Sequence, residues 1–391
     1  MLPRRAPTAI LLLVLPLSSG CGAPGPVPSD AGAGGRSGYT ETREPCADRD
    51  PLRKAFFGDF HVHTSLSFDA WTYDVRTLPA DAYRFARGET IKLAPLDAAG
   101  QPTRPVKLAR PLDFAAVTDH SEYLGETSLC TTPGSPAYDS PTCKEYRPGS
   151  FFGLGVGADP PARAPICDPD GKPCTDAALP VWKSIQDAAE AAYDRSAACS
   201  FTTFVAYEYT LSPFGTSMHR NVIFRNAEAL PAPITYYDAP RAIDLWTMLR
   251  ATCNDAESGC DALAIPHNSN YSNGRLFHVE YWGKKGIEDE KRQAALRAEM
   301  EPLVEIYQHK GDSECTNGLT TYAGAPDELC DNEKMLTPPL LDCGPTKTST
   351  GALAGLGCTS WLDYVRNVWK AGLMERARLG VNPYKLGVVA S

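Results

Sequence analysis

Short apolar runs that end in a histidine or a carboxylate set the pattern of this chain. Ala55 to His63 reads as a strand, closing in Phe57-Gly58-Asp59-Phe60-His61-Val62-His63-Thr64. Side chains alternate along a strand, so His61 and His63 share one face. Phe114-Ala115-Ala116-Val117 runs into Asp119-His120, and Phe204-Val205-Ala206-Tyr207 runs into Glu208. Ala262-Leu263-Ala264-Ile265-Pro266 ends at His267, and Leu303 to Tyr307 ends in Gln308-His309-Lys310. His219 stands in a loop just before the strand-like Asn221-Val222-Ile223-Phe224, and Lys385 to Ala390 makes a last strand.

Helical periodicity fills the intervals. Leu78 to Arg87 has Thr77 as a cap, Pro79 in its first turn and Gly88 as a stop. Trp182 to Ala198, Pro240 to Leu249 and the charge-dense Glu288 to Glu301 follow. Trp361 to Arg378 places Leu362, Val365, Val368, Trp369 and Leu373 on one side. Ser65 to Tyr73 reads as a loop and 89–110 as an irregular stretch or hairpin. Residues 125–180 and 311–360 lack periodicity and carry cysteines, so they read as insertions on the rim of the fold. Strands alternating with helices predict an α/β class with mostly parallel strands.

The residues at the strand ends supply the candidate chemistry. Four of the seven histidines fall there, at the rim where α/β barrels place their sites. A set of imidazoles and carboxylates without thiolates suits two or three divalent ions such as Zn, Mn or Fe. The candidate ligands are His61, His63, Asp69, His120, Glu208, His219 and His267, with Asp69 equally readable as a turn cap. Asp119 is a candidate catalytic group, a ligand, or a partner that orients ligand imidazoles. His309 is a candidate acid or substrate contact. Arg220, Lys310 and Asn268 lie beside ligand positions and are candidates to hold a substrate anion. Arg220 is equally open to pairing with a structural carboxylate, and Lys310 to being solvated. No glycine-rich phosphate loop and no Gly-x-Ser-x-Gly elbow competes.

Taken in order, Gly58 to Thr64, Val117-Thr118-Asp119-His120, Ala206-Tyr207-Glu208, His219 and Ile265-Pro266-His267-Asn268 resemble the motifs of the PHP (polymerase and histidinol phosphatase) metal-dependent hydrolases. The nearer resemblance is to the bacterial DUF3604 branch. It rests on Ala80 to Gly88, Thr118 to Gly125, His219-Arg220-Asn221-Val222 and Tyr307 to Glu314, and covers roughly residues 53 to 391. The resemblance implies a PHP-like distorted (β/α)7 barrel over 46–391, with long disulfide-bearing loop insertions. It also implies hydrolysis of phosphate esters at a multinuclear metal centre. Sulfate-ester hydrolysis on the same scaffold, or a non-catalytic binding lipoprotein on a decayed barrel, are the alternatives. In that family a strand like Leu386 to Ala390 runs into an Asp-x-His pair of ligands, so the chain is expected to be cut short at Ser391.

Composition narrows the setting. The 391 residues are 43% hydrophobic, enough for a sizeable core, and the net charge is -9 with no basic run after the N-terminus. That excludes non-specific nucleic-acid binding and leaves a small anionic ester as the expected partner. Arg4 and Arg5, the apolar Ala9 to Leu17 and Ser18-Ser19-Gly20 before Cys21 form an export signal over 1–21. Its form is that of a bacterial lipoprotein, with Cys21 as the lipid anchor, although Ser18 stands where such signals carry Leu. Residues 22–45 are a flexible tether. The protein is expected in the envelope or periplasm. Setting Cys21 aside, twelve of the thirteen cysteines remain, without any Cys-x-x-Cys, and these predict disulfides whose connectivity stays open.

Overall fold

The computed structural model describes residues 42–50, 52, 54–150, 155–319, 325–336, 340–344 and 348–391. The expected signal, Cys21 and the expected tether up to residue 41 lie outside the described residues. After β1 (Gly58–Val62), α1 (Phe68–Thr72) and α2 (Pro79–Ala86) lead to the hairpin of β2 (Ile91–Leu96) and β3 (Pro102–Val106). β4 (Phe114–Val117) is followed by α3 (Leu124–Thr131), α4 (Pro141–Tyr146) and α5 (Lys172–Ala192). Then come β5 (Thr202–Phe204), β6 (Ala206–Tyr209), β7 (Arg220–Phe224), α6 (Ala242–Leu249), β8 (Ala262–Pro266) and α7 (Ile287–Met300). β9 (Leu303–Gln308), β10 (Gly311–Asp312), α8 (Val365–Leu379) and β11 (Gly387–Ala390) complete the order.

The strands form small sheets: β1-β4-β5, β6-β7-β8, β10-β9-β11 and the β2-β3 hairpin. The expected barrel of mostly parallel strands is corrected here. β1, β4 and β5 are parallel, as are β9 and β11, but β7 pairs antiparallel with both β6 and β8. Residues 210–219 hold a single turn of 3-10 helix, Pro213–Gly215. A parallel return needs a crossover of a dozen or more residues, so this short link sends β7 back as a hairpin. Among the described residues no ladder joins β8 to β9, and the fold is mixed α/β without a closed barrel. The first two sheets meet at an isolated bridge between His120 and Glu208, where the Glu208 amide donates to the Asp119 carbonyl at 3.0 Å.

Packing unites what hydrogen bonding leaves open. Ala116, Ala206, Ile223 and Ile265 form a buried cluster with Phe60, Phe204, Leu303 and Val389 packed against it. These residues come from eight strands in three sheets and face one interior. By strand parity, Glu208 lies one step above Ala206, His267 above Ile265 and Glu305 above Leu303 on that same face. A register shift between Asp59 and Val62 breaks the parity of β1. Bulges of this kind re-aim side chains, and here both Phe60 and His61 serve the interior. This apolar floor is therefore capped by titratable groups.

A larger core lies outside the sheets, where Trp182 of α5 stacks edge-on against Tyr207, centroids 5.7 Å apart. The 125–180 insertion is more helical than its sequence suggested, because α3, α4 and the first turns of α5 lie in it. α5 starts ten residues before Trp182 and stops at Ala192, and the supposed loop after β1 contains α1. α3 approaches the start of α5 so closely that a Cβ on Gly125 would lie 1.9 Å from the Cys174 carbonyl oxygen.

Among the described residues six disulfides join Cys46–Cys199, Cys130–Cys143, Cys167–Cys174, Cys253–Cys260, Cys315–Cys330 and Cys343–Cys358. They match the oxidising compartment that the cysteine content implies. No described helix is long and apolar enough to cross a membrane.

Candidate metal centre

Glu208, buried at the end of β6, is the hub of the site. Its Oε2 lies 2.7 Å from His63 Nε2 and 3.2 Å from His61 Nε2. Its Oε1 lies 2.6 Å from His219 Nδ1, 3.0 Å from His267 Nε2 and 3.4 Å from His120 Nδ1. Five imidazoles from four chain segments thus converge on one carboxylate, His61 and His63 both coming from the end of β1. Beyond them stand two further carboxylates. Asp69 of α1 contacts His63 Nδ1 at 3.1 Å and His120 Nε2 at 3.4 Å. Glu305 of β9 contacts His61 Nδ1 at 2.9 Å. The row runs Asp69, His63 and His120, Glu208, His61 and His267, Glu305.

Charge in this row is set by the balance of burial against neighbouring ions. Burial favours neutral imidazole, but at His61 the carboxylates of Glu305 and Glu208 outweigh it and push the ring up to about 9. Asp69 and Glu208 do the same at His63, which rises well above the usual histidine range. At His219 and His267 burial wins, and their values fall to about 4 and about 3. Burial would raise Glu208 and Asp69, yet the surrounding imidazoles hold both well below the usual carboxylate range.

The donor set fits divalent metal. Four imidazoles hydrogen-bond the Glu208 carboxylate, and His120, whose Nδ1 bonds Thr210 Oγ1 at 2.6 Å, stands beside it. His267 Nδ1 is buried with no partner among the described residues. Two groups of potential ligand atoms, each within 4.8 Å of one another, share Glu208: one with His61 and His267, the other with His63 and His120. Nitrogen and oxygen donors without thiolate suit Zn, Mn or Fe. A third group, Glu126 with Cys167 and Cys174, is no such site, because its sulfurs are tied in a disulfide.

The remaining candidates divide. His219 joins the cluster, but Ser212 Oγ occupies its Nε2 at 2.6 Å and Glu208 its Nδ1, so it braces the hub. Asp119 holds two strand ends together. Its oxygens accept the Thr64 amide at 2.5 Å and the Thr64 hydroxyl at 2.7 Å, clamping the end of β1 to the end of β4. Arg220 takes the second of its two readings, pairing with a structural carboxylate. It follows His219 and faces the other side of β7, where its Nε donates to Glu301 Oε1 at 2.7 Å in a buried ion pair. His309 is exposed, and partial burial together with Lys310, His61 and His63 lowers it to about 4. Lys310 is half-buried, and its charge reaches both His219 and His309. Asn268 takes a left-handed backbone, φ 52°, and accepts from Gln308 Nε2 at 2.8 Å. Its own Nδ2 is buried and unpartnered among the described residues.

Glu305 escaped the sequence reading. The available signal was a carboxylate inside an apolar strand, two positions after Leu303, on the parity that carries Glu208 and His267. Ser391 Oγ donates to the other oxygen of Glu305.

The profile of a family described as "Protein of unknown function (DUF3604)" matches residues 50–391. The chain belongs to the DUF3604 family. No curated protein and no solved structure matches this DUF3604 chain.

Proposed function

We propose that this DUF3604 protein is a metal-dependent hydrolase of phosphate esters, in keeping with the resemblance of its ordered motifs to the PHP hydrolases. The observation that carries this reading is the buried Glu208 carboxylate, approached by His61, His63, His120, His219 and His267. His61 and His267 on one side and His63 and His120 on the other would hold two ions that share Glu208. Bound there, divalent ions supply Lewis acidity toward the oxygens of a phosphate ester.

The protein's own groups do the rest. The row is wettest at Asp69, 21% exposed, and closed at His267, 0%, so substrate approaches from the Asp69 side. Lys310 attracts the ester anion to that mouth. His309 is neutral at pH 7 and placed at the mouth to take or pass a proton. The unpartnered Nδ2 of Asn268 is a donor for a substrate oxygen. Glu305 and Asp69 fix the rings of His61 and His63 from behind, as carboxylates do for metal-bound histidines.

The test is to purify the protein with Zn, Mn and Fe each supplied, measure bound metal, and assay phosphate monoesters, phosphodiesters and sulfate esters. Two bound ions with turnover of a phosphate ester support the proposal. Turnover of sulfate esters alone moves the substrate class. A fully loaded protein inert toward the whole panel overturns the hydrolase reading, and one that binds less than one ion overturns the metal centre.

A further inference from the structure

The face of β7 opposite the metal centre borders a second cavity, of about 640 Å³. That volume lies within the range of small-molecule sites. Trp246 of α6, Trp282 and Phe214 wall it, and Trp282 and Phe214 stand about half exposed at its edge. Its floor holds an unbalanced charge. Arg220 and Arg297 both pair with the single buried carboxylate of Glu301, at 2.7 and 3.1 Å. Trp246 Nε1 also donates to Glu301, at 3.0 Å. Two guanidinium groups against one carboxylate leave one positive charge in a nearly water-free setting, where an uncompensated charge is costly.

The donors left over point to what would compensate it. Arg297 spends its nitrogens on Glu301, the Leu276 carbonyl and the Tyr384 hydroxyl. Arg241 is held by both oxygens of Asp244, each at 2.7 Å. Arg220 uses Nε on Glu301 and Nη1 on the Met218 carbonyl, which leaves Nη2, and it lines the cavity. Arg275 gives Nε to the Ser349 carbonyl at 2.8 Å, while its terminal nitrogens are free among the described residues. Its guanidinium lies 5.4 Å from the Phe214 ring centroid. Free donors from Arg220 and Arg275 therefore face a chamber whose other walls are aromatic. Asp159 and Glu280, both exposed, sit on its lining and disfavour a ligand of high negative charge.

We propose that this cavity is a second ligand site, for a small organic monoanion with a flat apolar body, of the aromatic carboxylate class. The carboxylate meets Arg220 and Arg275, and the ring lies among Trp246, Trp282 and Phe214. The site does not depend on the metal centre.

Phenylacetate is the probe, with phenylacetamide and inorganic phosphate as controls, titrated into the full chain while tryptophan fluorescence and binding heat are followed. Phenylacetate is expected to saturate with a dissociation constant on the order of 1 mM, given its size. The amide and phosphate bind at least tenfold more weakly. Arg275→Gln and Trp282→Ala each weaken phenylacetate at least tenfold; the second removes a half-exposed side chain and leaves the fold in place. The His61→Ala, His63→Ala double variant keeps full phenylacetate affinity, which separates this site from the metal centre. Absence of saturable binding, equal binding of acid and amide, or tighter binding of phosphate overturns the proposal. So does binding that is lost in the histidine variant and kept in Arg275→Gln and Trp282→Ala.

Discussion

The Nδ1 atom of His61 lies 2.9 Å from Oε2 of Glu305, although 244 positions separate them in the chain. The contact ties β1 to β9, two strands that share no ladder, through a titratable pair. It leaves Nε2 of the same ring directed at Glu208.

Glu305→Gln keeps the shape of that contact and removes its charge. Carboxylates behind ligand histidines typically contribute 10- to 100-fold in metal affinity, and a loss of about that size is expected. Competition against a chelator of known affinity measures it. Unchanged affinity in the variant would remove Glu305 from the centre.

The two ligand groups meet only at Glu208, so single substitutions should differ in what they strip. Glu208→Gln is expected to lose both ions. His267→Ala is expected to lose the ion on the His61 side and keep the one between His63 and His120. Elemental analysis after desalting gives the count. Equal losses in the two variants would show that the groups are not separate sites.

Asp363 offers a test of pH dependence away from the histidines. It accepts from Ser272 Oγ at 2.7 Å, the Gly274 amide at 2.6 Å and the Ser360 amide at 2.8 Å. Burial outweighs these donors and raises its value from the ordinary 3.8 to about 7. The folded state therefore favours the protonated form more than the unfolded state does. The resulting stabilisation is whole below about pH 4 and is lost as pH rises through about 7. Melting temperatures between pH 4 and 8 should fall less steeply in Asp363→Asn than in the parent. Parallel slopes would show that Asp363 ionises as freely in the fold as outside it.

Gly125→Ala places a methyl group against the Cys174 carbonyl oxygen, and backbone rather than a flexible side chain must yield. Overpacking of this kind costs about 1–3 kcal/mol, and here the upper end is expected. Denaturant unfolding measures it. A loss below about 0.5 kcal/mol, within the range of ordinary surface substitutions, would mean that α3 and α5 slide apart freely.

Much of this centre is written in local pattern. His61 and His63 stand two apart on a strand, and Glu208 and His267 terminate apolar runs, so alternation and position suffice to group them. For Arg220 the same alternation decides between its two open readings: it follows His219 and must face the other way. Glu305 was passed over because a carboxylate within a strand looks like a solvent-facing residue until the floor beneath it is known. The antiparallel return of β7 was legible only in the shortness of 210–219. The failure of the ladders to close depends on how distant strands meet, which no local window contains. Disulfide partners in neighbouring loops follow proximity, but Cys46 reaches Cys199 only because the fold brings the segment before β1 beside the segment before β5.

That last bond closes a covalent ring around β1, both helices after it, the first hairpin, β4 and the whole of α3 to α5. A peptide bond cut once anywhere between Cys46 and Cys199 leaves the two pieces attached. A molecule nicked there gains only the mass of one water, migrates as one band without reductant and falls into two with it. A cut after Cys199 and outside the small disulfide loops leaves no covalent link between the pieces. An unreduced gel alone will overstate the integrity of the first half of the protein, and paired reduced and unreduced gels are the appropriate check on any preparation.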